Sequence, residues 1–216
     1  MIAVARHGET TWNLAGRYQG RSESGLSALG VRQGFALADA FDARMRAGSP
    51  LARIVASPLL RCSATAQFVA ERFGMTVETD ARLLEIAHGT WDGRYRDDLA
   101  REDPERFRAW RDEPDSVQFD GGERLSDVMD RWHAFAEHGL DTEVETLVVT
   151  HDVVVRCALL AATARPLRDL WQVRVENAAY AEFSTERGAG GELRLLAECR
   201  RDHLEGVRAD PGTQAL

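Results

Sequence analysis

The sequence predicts a three-layer α/β domain, with helices on both faces of a mainly parallel sheet and an antiparallel hairpin at its edge. Two observations carry this prediction. Apolar runs of strand length at residues 2–5, 51–56 and 146–150 alternate with longer stretches whose apolar residues recur at helical spacing. No repeat or linker divides the 216 residues, a length that suits one compact domain with a substantial core. The domain is read as residues 1–201, followed by a weakly structured tail over 202–216.

Taken in order, "IAVA" is a buried strand. Ser27 can cap a helix running to about Ala47, with Val31, Gly34, Leu37, Ala38, Phe41 and Met45 along one side. Leu51–Ala56 is a second buried strand. In "SPLLR", Ser57 reads as a cap and Pro58 as the first residue of a helix ending near Gly74. A short strand follows around Thr76–Glu78. From Leu83 to Asp120 the pattern breaks into charged loops and short helical pieces carrying Trp91, Tyr95, Phe107 and Trp110.

Periodicity returns in "GGERLSDVMDRWHAFAEHG". Leu125, Val128, Met129, Trp132, Phe135 and Ala136 form an apolar stripe there, and Gly139 is a stop. "TLVVT" is a strand, and "DVVVRCALLAATA" opens a helix at Asp152. Ala179–Phe183 and Leu193–Cys199 flank "RGAGG" and predict a hairpin with a long turn.

The net charge of −8 argues against non-specific nucleic-acid binding, which needs a basic surface. All 27 lysine-plus-arginine positions are arginine, as codon bias in a GC-rich genome would produce. The choice still matters locally, because a guanidinium grips phosphate with a two-pronged geometry that an ammonium cannot copy. No stretch approaches the roughly 20 apolar residues that span a bilayer, so no membrane association is expected. Met1 runs straight into strand-like sequence, without the basic segment and apolar core of a signal peptide. Cys62, Cys157 and Cys199 are odd in number and widely spaced, which reads as reduced thiols in a cytoplasmic protein.

In parallel sheets ligands bind beyond the carboxyl ends of the strands. Three strands here end in chemically similar clusters: Arg6-His7-Gly8, Ser57 with Arg61, and Thr150-His151-Asp152. A parallel sheet brings them to one edge. Two histidines, two arginines and helix N-termini then favour an anion, most often phosphate. A histidine in that place can act as nucleophile or proton carrier, and surrounding positive charge lowers its pKa and keeps the imidazole neutral. Gly8 lets the backbone approach a ligand closely.

The segments "RHGETTWN", "YQG", "SPLLRCSATA", "EIAHGTWDGR" and "VVTHDVVVR", in that order, resemble the histidine phosphatase superfamily, also called phosphoglycerate mutase-like. The likeness runs from residue 3 to about residue 184, and it implies that family's fold. By this resemblance His7 would attack phosphorus and become a phosphohistidine, which water then hydrolyses. Arg6, Arg61 and His151 would hold the phosphoryl oxygens. Glu85 would protonate the leaving oxygen and later activate water. Asn13 and the segment from Gln19 through Gly20 to Ser22 would complete the cradle. No metal or other cofactor is implied. The partner expected is a small phosphorylated metabolite, bound by a monomer or a homodimer.

Two departures stand out. Asp152 occupies a position where the family often has glycine, and it reads as a helix cap whose charge lies close to the phosphate. "GRSESGLS" puts Ser24 and Gly25 where the family commonly has aspartate and proline, which leaves that loop's conformation open. His88 and His133 read as incidental. Residues 94–124 form a candidate lid. Tyr95, Phe107 and Trp110 would line its pocket, and Arg106, Arg108 or Arg111 would meet a second anion; a solvated helix pair covering the core is the alternative.

Metal-independent hydrolysis of phosphomonoesters is the expected reaction. Phosphoglycerate mutases resemble the chain less, because they carry a longer segment between the Glu85 region and the second histidine. A silent phosphometabolite-binding protein would be expected to have lost the nucleophile or the acid. A metal hydrolase built on His7, His151 and Asp152 lacks ligand spacing.

Overall fold

The computed structural model describes residues 1–141, 143–188 and 191–209. Strand β1 (Ile2–Arg6) leads through a short helix α1 (Thr11–Leu14) to the long helix α2 (Ala28–Arg46). Strand β2 (Leu51–Ala56), helix α3 (Leu60–Phe73) and the two-residue β3 (Glu78–Thr79) follow. An excursion of turns carries α4 (Arg96–Glu102) and α5 (Pro104–Asp112) before α6 (Leu125–His138). Strand β4 (Glu145–Thr150), helix α7 (Asp152–Ala162) and the strands β5 (Tyr180–Arg187) and β6 (Leu193–Arg200) complete the fold.

The sheet runs β3-β2-β4-β1-β5-β6. Its first four strands are parallel, and β5 and β6 add to β1 as an antiparallel edge. The continuous apolar runs of β1 and β4 follow from burial on both faces. On one face Ala3, Ala5, Ile54, Leu147 and Val149 pack against Leu37 and Phe41 of α2 and Cys62 and Val69 of α3. On the other, Ile2, Val4, Val55 and Val148 pack against Val128, Trp132 and Phe135 of α6 and Val154 and Ala158 of α7. The three-layer architecture with its edge hairpin is thus the one expected; residues 189 and 190 of the hairpin turn lie outside the described residues.

Trp132 is buried between α6 and the sheet, with its ring against Phe135. Its truncation to alanine is expected to cost about 3–5 kcal/mol, seen in urea titration as a lower midpoint with an unchanged slope.

Several local expectations are corrected. Ser27 does cap α2, its hydroxyl accepting from the Gly30 amide at 3.0 Å. Yet Val31 and Met45 of the anticipated stripe are 36% and 38% exposed, because the buried face follows Gly30, Gly34, Leu37, Ala38 and Phe41. Gly30 is required by close approach: a Cβ there would lie 2.0 Å from the Glu9 carbonyl. Helix α3 starts at Leu60, with Leu59 and not Ser57 as its N-cap. Glu23 supplies the missing cap, its carboxylate accepting from the Leu60 amide at 3.1 Å.

The expected tail is anchored over its first residues. Asp202–Leu204 makes a helical turn, Leu204 is buried, and the Gln33 amide donates to the Val207 carbonyl at 2.9 Å. Residues 210–216 lie outside the described residues.

Candidate active site

The parallel register aligns Arg6 with Thr150 and Ala56 with Val149, so β1, β2 and β4 end level with one another. The residues that leave those strands meet in one pocket. Its wall includes Arg6, His7, Asn13, Gln19, Gly20, Arg61 and Glu85. Tyr18, His88, Trp110, Asp152, Val153 and Trp171 complete it.

His7 follows β1 directly, and its amide continues the parallel ladder by donating to the Thr150 carbonyl at 2.9 Å. Its Nδ1 lies 2.7 Å from the Gly8 carbonyl, which has no proton to give, so Nδ1 carries the proton and Nε2 keeps its lone pair. Burial, then Arg61 and Arg6, push the imidazole pKa well below its ordinary value, leaving it neutral.

The missing side chain of Gly8 serves the fold. A Cβ would come within 2.7 Å of the Gly30 carbonyl, and the Gly8 amide is held by Thr65.

Arg61 is 1% exposed and organises the loop opposite. Its Nη2 donates to the Gly20 carbonyl at 2.6 Å and its Nη1 to the Ser22 carbonyl at 2.9 Å, while Nε donates to His151 Nδ1 at 3.2 Å. That last bond fixes the other tautomer on His151, whose Nε2–H donates to Ser57 Oγ at 2.8 Å. The two imidazoles meet edge to face at 5.3 Å between centroids. Burial, Arg61 and His7 hold the pKa of His151 well down.

Asn13 and Gln19 line the pocket, and each is preoriented. Asn13 Oδ1 accepts from the Thr10 amide and hydroxyl, both at 3.1 Å. Gln19 Oε1 accepts from Thr10 at 3.0 Å and from Ser24 at 2.8 Å. The departure at Ser24 therefore supports the loop by a hydrogen bond of its own.

Ser22 does not reach the pocket wall; only its carbonyl takes part, by holding Arg61. His151 likewise stands behind the wall, with both nitrogens engaged by Arg61 and Ser57. Of the helix N-termini anticipated for an anion, that of α3 is already engaged by a protein carboxylate, Glu23, and that of α7 carries the acidic Asp152 in its first turn.

Glu85 follows a helical turn over Ala81–Leu83 and is buried, accepting from the Ile86 amide at 2.9 Å. Burial and the negative charge of Asp152 raise its pKa to about 7, against the opposing pull of Ile86 N–H, Arg61 and Arg6. At neutrality a large fraction of Glu85 holds a proton, as a general acid requires.

This geometry can be set beside known proteins. A family model described as histidine phosphatase superfamily (branch 1) matches residues 2–198. The chain belongs to the histidine phosphatase superfamily. It is an enzyme of that phosphomonoesterase type, with the fold the resemblance implied. The chain is 34% identical over 203 residues to phosphoserine phosphatase 1 of Hydrogenobacter thermophilus, covering 92% of each chain. It is 30% identical over 178 residues to a probable phosphoglycerate mutase, GpmB, of Yersinia pestis, covering 82% of this chain and 80% of that one. Among solved structures, Bacillus stearothermophilus YhfR superposes with a TM-score of 0.85 at 30% identity over 94% of this chain and 98% of that one. A mycobacterial glucosyl-3-phosphoglycerate phosphatase, solved with VO3, superposes with a TM-score of 0.78 at 28% identity over 91% and 96%.

In this histidine phosphatase, segment 94–124 contributes one residue to the pocket, Trp110. Tyr95 is exposed and stacks on Arg17, whereas Phe107 packs beside Trp91 in the core. Arg106 is paired with Asp103 and Asp120, and neither Arg108 nor Arg111 lines the pocket. His88 is not incidental: it is buried in the wall between Tyr18, Trp110 and Phe119, and burial pushes its pKa down to about 3. His133 sits at the surface opposite Glu192. Asp152 is the first residue of α7 rather than its cap. Its carboxylate turns to Arg6, with Oδ1 at 3.1 Å from Nη1, and to Arg156, with Oδ2 at 2.7 Å from Nε.

Sequence reading missed Tyr18, Val153 and Trp171 in the wall and Arg156 behind it. The signal for Arg156 was its spacing, four residues after Asp152 on a predicted helix. For Trp171 no local signal existed. Among the described residues no helix is long and apolar enough to cross a membrane.

Proposed function

We propose that the protein hydrolyses phosphomonoesters of small metabolites through a phosphohistidine on His7, without a metal ion. The single observation that carries this reading is the His7 tautomer: Nδ1–H bound to the Gly8 carbonyl leaves a neutral Nε2 lone pair in a pocket walled by two buried guanidiniums.

In the first step the Nε2 lone pair forms the N–P bond. The bond from phosphorus to the ester oxygen breaks, its electron pair stays on that oxygen, and the Glu85 carboxyl proton passes to it. In the second step ionised Glu85 takes a proton from water as the water oxygen bonds to phosphorus. The N–P electrons return to Nε2, and inorganic phosphate leaves. Arg6 and Arg61 stabilise the charge on the phosphoryl oxygens, with Asn13 and Gln19 beside them. His151 acts through Arg61, whose Nε it holds, and through its edge contact with His7.

Relatives named for phosphoserine and for glucosyl-3-phosphoglycerate support hydrolysis of a small phosphorylated metabolite. Mutase transfer is retained as the second reading. The short interval from Glu85 to His151 does not separate the two, because a relative named a probable phosphoglycerate mutase aligns over 82% of the chain.

The test is a rapid quench of the turning-over enzyme into alkaline denaturant, with EDTA present throughout, followed by peptide mapping kept at alkaline pH. The expected result is a phosphoryl adduct on the His7 peptide that decays with release of phosphate to water. Adduct decay only on addition of phosphoglycerate would favour the mutase. Turnover without any adduct would overturn the covalent route.

A further inference from the structure

Arg6, Asp152 and Arg156 form a buried chain of charge, at 2%, 4% and 4% exposure. The Asp152 carboxylate meets Arg6 Nη1 at 3.1 Å on one side. On the other it takes Arg156 Nε at 2.7 Å and Nη2 at 3.2 Å, a two-pronged contact. Arg156 is itself fixed, since Nη1 donates to the Leu170 and Val173 carbonyls and its guanidinium lies 4.9 Å over the ring of Trp171. Arg6 Nη1 also donates to the Val175 carbonyl at 3.0 Å.

A carboxylate in the first turn of a helix needs only the helix N-terminus to be favourable. Asp152 instead lines the pocket and is wedged between two guanidiniums. We infer that Asp152 is a positioning residue for the reaction, clamped by Arg156 and in turn fixing the Arg6 guanidinium beside the phosphoryl site. This rests on the phosphatase reading above.

A carboxylate at this place carries a cost, since it stands near a bound phosphate dianion. Two things offset that cost. It neutralises part of the like-charge crowding of Arg6, Arg61 and Arg156, and desolvation lowers the pKa of Arg6 while Asp152 raises it. It also acts on Glu85, which faces Arg6 from β1, Arg61 and Cys62 from α3, and Asp152 and Cys157 from α7. Among the groups acting on Glu85, Asp152 is the charge that favours its acid form, while Arg6 and Arg61 favour the ion.

Two variants separate charge from position. Asp152→Asn keeps an acceptor toward Arg6 but removes the charge; Asp152→Gly removes both. With an alkyl phosphate, the asparagine variant is expected to lose about tenfold in kcat/KM at neutral pH, its alkaline limb moving to lower pH, whereas p-nitrophenyl phosphate, whose leaving group needs little proton transfer, is spared that loss. Inorganic phosphate, titrated calorimetrically, binds it more tightly than wild type. The glycine variant binds phosphate more weakly and loses on the order of a hundredfold in kcat.

An unmoved alkaline limb together with wild-type phosphate affinity in either variant would overturn the inference, and if one variant fails to fold the other decides it. Absence of turnover by the wild type would instead reject the phosphatase reading. The phosphate titrations would still judge the clamp, which fails if both variants bind phosphate as the wild type does.

Discussion

Replacing His7 by alanine is expected to abolish phosphatase turnover, by roughly 10⁵-fold or more, as deletion of a covalent nucleophile does elsewhere. Phosphate monoesters are among the slowest esters to hydrolyse unaided, so the enzyme must remove more than about 20 kcal/mol from the barrier. Preorganised positive charge supplies much of that, and loss of one such donor costs on the order of 10²–10³ in rate. A nucleophile cannot be replaced by its neighbours. His151 is the nearest imidazole, but its two nitrogens are held by Arg61 and Ser57.

The same substitution should leave binding largely intact. The side chain of His7 makes one local hydrogen bond, to the carbonyl of Gly8, while Arg6 and Arg61 are anchored elsewhere. The variant is therefore expected to bind inorganic phosphate with affinity near that of the wild type, measured by calorimetry, while releasing no p-nitrophenol. Residual turnover near the wild-type rate would show that another group attacks phosphorus. Loss of both turnover and phosphate binding would show that His7 organises the pocket and would leave its covalent role to the quench experiment.

Much of this was legible from local pattern, and the reason is physical. Strands β1 and β4 are buried on both faces and so read as unbroken apolar runs, and their ends place the Arg6-His7 and His151 clusters at one edge. The helices α2 and α6 carry caps or stripes that periodicity detects. The capping of α3 is not legible in local sequence, because Ser57 is spent on His151 and Glu23 comes from a loop 37 residues away in sequence. The same distance effect hid Trp171, which reaches the pocket through the Trp110 carbonyl, 61 residues earlier in the chain and accepting at 2.6 Å from its indole N–H. Asp152 stands out in the sequence, but sequence shows only a residue next to a helix start and not the two guanidiniums that turn its carboxylate inward. For His88 the sequence offers no signal, because one histidine in a loop carries no pattern; its burial among Tyr18, Trp110 and Phe119 is a property of the packed excursion.

Glu85→Gln should divide substrates by their leaving groups. The glutamine keeps an oxygen for the Ile86 amide, so the local turn is retained while the transferable proton is lost. An alkyl ester such as phosphoserine must expel an alkoxide, and its hydrolysis is expected to fall by about 10²–10⁴-fold, the usual worth of general acid catalysis. p-Nitrophenol departs as a stabilised anion and needs little help, so the first step survives. Water attack on the phosphohistidine then lacks its base, and stopped-flow traces should show a burst approaching one equivalent of nitrophenol followed by slow release.

The wild-type pH dependence has the matching sign. The acid form of Glu85 is present below its pKa of about 7, so kcat/KM for an alkyl ester declines as pH rises through that value. His7 is held neutral well below its ordinary pKa, so no compensating loss appears until the solution is distinctly acidic. In Glu85→Gln the alkaline limb disappears. A limb that persists in the variant would assign the titration to another group, and equal losses for alkyl and nitrophenyl esters would remove Glu85 from proton transfer to the leaving oxygen.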